Sequence, residues 1–283
     1  MIDLRVEAPE LTFATFAAAQ VLRVVPRVRL SQAVGRLCDA NVPAPLSRLA
    51  ASLYCRAYGV NLEEAESSPG AYPSFDEFFT RRLRTGVRPV APAQLVSPAD
   101  GRLDQLGPVQ LDGRINVKAT AYRVGELIGD DADAQRYAGG SFAVVYLSPG
   151  DYHRVHSPVG GQLVLVRSLP GDLFPVNSIG ERHVPNLLVR NQRVALVIDT
   201  PQVGRVTVVM VGAIIVGRIT VTALGGDDTR PGRYPIEPPA PLEPGDEIGV
   251  FHLGSTAVVF VEPGVTLSHG LGLIRYGQAL SSR

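Results

Sequence analysis

The chain has 283 residues, 45% of them hydrophobic, with 29 Gly and 23 Pro. That length fits one large or two smaller domains, and the glycine and proline content predicts many turns and little long helix. Basic and acidic side chains balance at 27 each, which argues against nucleic acid as the main partner.

From the N-terminus, Leu11–Val25 and Leu46–Tyr58 carry apolar residues at helical spacing, with a shorter helical candidate at Ser31–Leu37. Pro26, Pro43 and Pro45 mark the breaks between them. The charges from Leu11 to Val60 are Arg23, Arg27, Arg29, Arg36, Arg48 and Arg56 against Asp39 alone. Two readings are open: a surface that lies on an anionic membrane, or a small helical region packed on the rest of the protein. Cys38 and Cys55 fall in this region without metal-ligand spacing and read as free thiols in a reducing compartment. No apolar run reaches the ~18 residues that span a bilayer. Asp3, Glu7 and Glu10 stand where a signal peptide would be basic, so the expectation is a cytoplasmic chain without transmembrane spans.

Glu63–Gly70 reads as a polar linker. Ser74–Leu83 is predicted to be a short amphipathic helix, with Ser74 as N-cap and Glu77 completing a capping box. Arg81, Arg82, Arg84 and Arg88 form a basic exit from it. Beyond Pro89 the texture changes to short strands between Gly/Pro turns. They are predicted at Leu103–Leu106, Ile115–Val117, Phe142–Leu147, Gln162–Arg167, Val194–Asp199, Arg205–Val216, Arg218–Leu224, Ile248–Phe251 and Ala257–Val261. The predicted class is α+β: N-terminal amphipathic helices followed by a mostly antiparallel β-sandwich or partly closed barrel. Residues 1–62 would be the helical region and 63–283 the β-rich domain. Ser97-Pro-Ala-Asp-Gly-Arg-Leu103 and Ser157-Pro-Val-Gly-Gly-Gln-Leu163 both place S-P-x-x-G before a strand, the trace of an internal repeat.

The chemistry-bearing candidates begin with Gly254 and Ser255, a Gly-Ser turn expected between two apolar strands. Glycine leaves its carbonyl open to attack, and the adjoining serine hydroxyl can reach it in a strained turn. A histidine that activates such a hydroxyl needs an acceptor to hold its tautomer. Asp100 in the P-A-D-G turn and His156 in Asp151-Tyr-His-Arg-Val-His156 supply the two types, making Asp100, His156 and Ser255 a candidate triad. Each also has a plain structural use, Asp100 as an Asx-turn residue and His156 as a histidine bonded to a backbone carbonyl. His153, His183, His252 and His269 offer no recognisable zinc spacing, and no metal is expected.

Several stretches together carry a resemblance. The chain resembles the bacterial-type phosphatidylserine decarboxylase proenzymes in PSFDEFFTRRLRTGVRP (73–89), SPADGRLDQLG (97–107), LSPGDYHRVHSPVGG (147–161) and PGDLFPVNS (170–178). It continues in VPNLLVRNQRV (184–194), VGAIIVGRI (211–219) and GVFHLGSTAVV (249–259), in family order from about residue 30 to the end. The resemblance implies that Ser255, with His156 as base and Asp100 orienting it, attacks the Gly254 carbonyl and cuts the chain into Met1–Gly254 and a small chain 255–283. It implies that Ser255 becomes a pyruvoyl group, the covalent cofactor, which forms a Schiff base with the substrate amine. His153 is implied in substrate handling and protonation. The implied partners are phosphatidylserine in an anionic membrane, the two chains of one precursor and a second copy in a homodimer. The implied location is the cytoplasmic face of the inner membrane, which turns the arginine-bearing helices of residues 1–62 into a docking surface.

Two other readings compete. P-A-D-G turns and the Pro244–Asp246 turn are similar to those of lipoyl and phosphocarrier β domains, but the single lysine, Lys118, lacks the methionine flank of a biotin site. A serine hydrolase using Asp100, His156 and Ser255 would lack a G-x-S-x-G elbow.

Overall fold

The computed structural model describes residues 27–68, 72–118, 120–176, 180, 183–214, 218–252 and 256–282. The helix predicted at Leu11–Val25 and the Gly254–Ser255 pair lie outside the described residues. Two helices lead the described chain, α1 (Arg27–Asp39) and α2 (Ala44–Tyr58). Pro45, read as a break, sits in the first turn of α2, where its missing N–H costs nothing. Gly59 ends α2 in the left-handed conformation, with its N–H bonded to the Cys55 carbonyl.

The predicted helix Ser74–Leu83 is α3 (Phe75–Phe79), half the expected length. Ser74 caps it as expected, its Oγ accepting from the Glu77 N–H at 3.2 Å. Tertiary bonds end it early. The Thr80 carbonyl accepts from Arg154 Nε at 2.8 Å, the Glu66 N–H donates to the Arg82 carbonyl at 2.9 Å, and Leu83 pairs with Ala65. These partners lie outside the segment, so its own sequence carries no sign of them.

The β region follows, with β1 (Gly101–Pro108), β2 (Arg114–Val117), β3 (Thr120–Arg123), the short helices α4 (Val124–Ile128) and α5 (Asp131–Ala134), β4 (Ser141–Tyr146) and β5 (Arg154–His156). Then come β6 (Gly161–Leu169), α6 (Leu187–Arg190), β7 (Arg193–Thr200), β8 (Gly204–Val211), β9 (Arg218–Val221), β10 (Gly232–Leu242), β11 (Glu247–His252), β12 (Thr256–Val261) and β13 (Gly272–Ile274). Eight strands make one antiparallel sheet in the order β10-β6-β7-β8-β12-β4-β1-β13. The sheet is open, with β10 and β13 at its edges. A smaller sheet, β5-β11-β9, packs on one face of it.

β12 shows why the core sits where it does. Ala257, Val259 and Val261 join the cluster shared with Val155, Ile219, Ile248 and Phe251 of the small sheet. Val258 and Phe260 point to the other face, against Ile115, Tyr122, Leu127 and Tyr137. With both faces covered, the strand reads as a continuous apolar run rather than an alternating one. No helix among the described residues is long and apolar enough to cross a membrane.

β11 and β12 are not a hairpin, as two strands meeting at a turn would be. β11 pairs with β5 and β9 in the small sheet, while β12 pairs with β8 and β4 in the large one. Between His252 and Thr256 the chain therefore passes from one sheet to the other.

Candidate active site

The two S-P-x-x-G turns build the site by pairing with each other. Ser97 Oγ donates to the Ala99 carbonyl at 2.9 Å, and Ser157 Oγ repeats the bond to Val159 at 2.7 Å. The Val96 N–H donates to the Pro158 carbonyl at 2.9 Å, and the His156 N–H returns the bond to Pro98 at 2.7 Å. These reciprocal bonds put the repeat into space as a local two-fold. They also bring His156 beside the turn that carries Asp100. Gly101, which closes that turn, lies so near β4 that a Cβ would stand 2.3 Å from the Tyr146 carbonyl oxygen.

His156 is 6% exposed. Its Nδ1 stands 2.8 Å from the Gly245 carbonyl oxygen. A carbonyl only accepts, so Nδ1 carries the proton and Nε2 keeps its lone pair. The Tyr152 hydroxyl donates to Nε2 at 3.3 Å. The Tyr276 ring lies against the imidazole, with centroids 3.8 Å apart and planes 6° apart. Desolvation lowers the His156 pKa; the Gly245 carbonyl and the charges of Glu247 and Asp100 oppose it. The result is a neutral imidazole whose Nε2 lone pair faces the Tyr152 hydroxyl. Gly245 is held in the left-handed region at φ +91, and a Cβ there would meet Val90 at 2.7 Å.

Asp100 is buried beside this ring but does not hold it by a direct hydrogen bond. Arg88 Nε donates to both carboxylate oxygens, at 3.2 and 3.1 Å, and Nη2 donates at 2.6 Å. The Tyr276 N–H donates to Asp100 Oδ1 at 2.9 Å. Tyr276 thus couples Asp100 to His156, anchored by its backbone to one and stacked by its ring on the other. Arg88 also donates to Glu64 at 2.7 Å. Burial works against the Arg88 charge, but the bonds to Asp100 and Glu64 outweigh it and hold its pKa above the ordinary value.

His153 lies on the same chain turn, with 0% exposure. Its carbonyl accepts from the Phe251 N–H at 2.9 Å, which fixes it against the end of β11. Its ring packs on Phe79 with centroids 4.0 Å apart. Among the described residues neither ring nitrogen makes a hydrogen bond of ordinary geometry. Desolvation, helped by the Arg81 charge and opposed by the Asp151 backbone, lowers its pKa to about 3.

Ser255 and Gly254 lie outside the described residues, but their flanks are fixed. On one side His252 Nδ1 donates to Asp76 at 2.8 Å, and the Thr220 hydroxyl meets His252 Nε2 at 3.3 Å. On the other side Thr256 pairs with Tyr146, which in turn pairs with Arg102. Arg102 follows Asp100 by two residues, so β12 begins two strands from Asp100, at the same end of the sheet. The Thr256 hydroxyl is buried without a partner among the described residues.

Sequence reasoning did not find Tyr276, the Gly245 carbonyl or the ion pair of Arg88 with Asp100. The Pro-Gly-Asp turn at 244–246 was a usable signal for a positioned backbone carbonyl. Nothing in Leu-Ile-Arg-Tyr-Gly (273–277) announces a ring stacked on a histidine 120 residues upstream. A cleft of about 200 Å3 opens beside the site, walled by Arg81, Arg88, Asp100, Tyr152, Gly59 and Asn61 among others. Among the described residues no group of three or more His, Cys, Asp or Glu side chains is arranged to hold a metal ion.

Known proteins align with this architecture along its length. The family model described as phosphatidylserine decarboxylase matches residues 75–281. The chain is 41% identical over 253 residues to a phosphatidylserine decarboxylase proenzyme of Anaeromyxobacter sp. (strain K), covering 86% of this chain and 88% of that protein. A protein of the same name from Shewanella sp. (strain ANA-3) is 40% identical over 277 residues, covering 92% of this chain and 94% of its own. That of Myxococcus xanthus is 38% identical over 251 residues, with 86% and 89% covered. The chain belongs to the phosphatidylserine decarboxylase family, and is a decarboxylase.

Proposed function

We propose that this chain is a proenzyme that cuts itself at Gly254–Ser255 and then decarboxylates phosphatidylserine to phosphatidylethanolamine and carbon dioxide. The observation that carries the reading is the state of His156: neutral by burial, with Nδ1 committed to Gly245 and the Nε2 lone pair turned to the Tyr152 hydroxyl. Nε2 takes the proton of the Ser255 hydroxyl, and the oxygen attacks the Gly254 carbonyl. The peptide C–N bond breaks as the ester C–O bond forms, freeing the amine of residue 255. Loss of the proton on its Cα expels the Gly254 carboxylate and leaves dehydroalanine. Water then replaces the nitrogen, ammonia departs, and residue 255 ends as a pyruvoyl group. Asp100 acts in this scheme through its charge and through Tyr276, which holds the imidazole in plane.

The pyruvoyl group supplies an electron sink for the bond that releases carbon dioxide. The chain's own residues do the rest. Burial of His153 away from water leaves its ring nitrogens for the proton that must reach the carbon losing its carboxylate. Phe79 fixes that ring by contact, and among the described residues neither nitrogen makes a hydrogen bond of ordinary geometry.

A diacyl substrate stays in its bilayer, because each CH₂ brought into water costs about 0.8 kcal/mol. The helical region of residues 1–62 is the proposed docking surface, on the cytoplasmic face of the inner membrane. In support, Leu46, Leu49 and Leu53 of α2 are each more than half exposed and lie on one helix face with Arg56 beside it.

A denaturing gel with intact-mass analysis tests the reading. Wild-type protein is expected as two chains, 1–254 and 255–283, and Ser255→Ala as one uncut chain that releases no carbon dioxide. An uncut wild-type chain that decarboxylates, or an active Ser255→Ala variant, sinks it, and the latter also rules out the serine hydrolase.

A further inference from the structure

Arg81 is a buried guanidinium to which folding has assigned no carboxylate. It is 5% exposed, and burial lowers its pKa. Its Nη2 stands 3.4 Å from the carbonyl oxygens of Gly150 and Asp151, its Nε has no partner among the described residues, and its Cζ lies 5.9 Å from the Phe78 ring centroid. Other buried arginines here are better served. Arg88 has Asp100 and Glu64, Arg154 has Glu247, Arg167 has Asp130 and Asp133, and Arg193 donates to four backbone carbonyls. A charge left buried without an anion is costly, and among the described residues Arg81 has only two long carbonyl contacts, the Phe78 ring and the more distant Asp100 charge to offset it.

Arg81 also lines the cleft beside Asp100 and Tyr152. The other charges of that cleft are spoken for. Arg88, Asp100, Glu64 and Arg275 pair among themselves. Asp151 accepts from the Ser148 N–H at 2.6 Å, and burial raises its pKa. Gly59 and Asn61, just past the C-terminal end of α2, form part of the wall. A lipid with its chains under the exposed leucines of α2 would present its headgroup at that end.

We propose that Arg81 is the binding residue for the phosphodiester of the phospholipid headgroup. The proposal rests on the reading of phosphatidylserine as substrate. Of the two anions on that headgroup, the carboxylate loses its charge as carbon dioxide departs. A guanidinium clamped on it would stabilise the reactant more than the transition state and slow the step. The phosphodiester is unchanged from substrate to product and matches the planar fork of arginine. Arg81 therefore contributes uniform binding, which appears in KM and not in kcat.

Two arms test this. In the first, uncut Ser255→Ala chain is titrated by calorimetry with glycerophosphoethanolamine, inorganic phosphate and free serine. Binding of glycerophosphoethanolamine is expected, weakened at least tenfold by adding Arg81→Gln and less by Arg81→Lys. In the second, cleaved enzyme is assayed on phosphatidylserine in mixed micelles, where Arg81→Gln is expected to raise KM at least tenfold with kcat within twofold. Cleavage at 254 and an unchanged melting temperature report that each variant has folded. If Arg81→Gln does not fold, Arg81→Lys decides by the same KM-against-kcat split. A wild-type enzyme that decarboxylates while its variants keep the wild-type KM overturns the inference and leaves the proposed function standing. A fall in kcat at constant KM also overturns it, as does binding of inorganic phosphate or serine without the phosphodiester. Absence of both binding and inhibition by glycerophosphoethanolamine at its solubility limit overturns it without any variant.

Discussion

Burial sets the protonation of the histidines at this site, and the consequence is measurable as stability. His153 is fully enclosed with a pKa of about 3, and His156 is shifted in the same direction. In the unfolded chain both return to about 6.5. The unfolded state therefore binds more protons than the folded one below that value, and stability falls as the pH drops. The contribution is complete above about pH 6.5 and is lost progressively toward pH 3. Glu64, Asp130 and Asp199, whose pKa values are lowered by hydrogen bonds and ion pairs, act below the ordinary carboxylate range. As the pH falls from 6.5 to 5 the histidines therefore lead the loss, opposed by Asp151, whose pKa burial raises. For His153 alone the loss amounts to about 2 kcal/mol, at 1.36 kcal/mol per proton per pH unit. Urea unfolding of the uncut Ser255→Ala chain should show that loss, and adding His153→Leu should remove about one proton from the slope. A stability that is flat from pH 7 to 5 would mean that the ring titrates normally. Asp100 and His156 could be picked out as candidates in the sequence because an Asp-Gly turn and a pair of histidines stand out in apolar, turn-rich stretches; His153 came only from the family resemblance. The Gly245 carbonyl was not visible, because a backbone acceptor has no side chain to identify it.

Among the elements, α2 divides its surface between two duties. Ala51, Tyr54 and Cys55 pack toward Tyr72, Phe75 and Phe78, which ties the helix to α3. Leu46, Leu49 and Leu53 face outward with no described residue over them. Helical spacing in the sequence predicted both sets but could not say which would find a protein partner. Fully burying a leucine is worth about 1.5–3 kcal/mol, so in the proposed docking three that entered a bilayer interface would account for most of the attachment. Replacing all three by serine should weaken binding to vesicles containing phosphatidylserine at least tenfold in a flotation assay, with soluble-fraction stability retained. Unchanged flotation would place the contact elsewhere, and a shift from dimer to monomer on gel filtration would assign the face to a second copy of the chain. The same limit on local information explains the strands that were not predicted. β10 contains Pro235, Pro238, Pro239 and Pro241, a composition that argues against a strand except at a sheet edge, which is where it lies. β5 is three residues long and exists because β11 is there to pair with it.

For the molecule as a whole, the passage from small sheet to large sheet between His252 and Thr256 decides what a cut there would do. Residues 256–261 run through the middle of the large sheet, bonded to β8 on one side and β4 on the other, with all six buried. Farther on, β13 pairs with β1. The Gly277 N–H then donates to the Ser97 carbonyl at 3.0 Å, and the Leu280 N–H to Leu95 at 2.9 Å. Val258, Val259, Phe260 and Val261 alone bury apolar surface worth about 6–12 kcal/mol gross. A single broken peptide bond removes none of these contacts. The small chain 255–283 should therefore remain bound after cleavage and co-elute with 1–254 on gel filtration in native buffer, separating in denaturant. It must stay for chemistry as well as for stability, because Tyr276 lies on it and holds both the Asp100 carboxylate and the face of His156. Loss of the small chain under native conditions, with the large chain still folded, would contradict this account of the sheet. Retention also separates two roles of the crossing: tethered by a central strand on each side, the bond can be sacrificed while the residue after it keeps its place in the site.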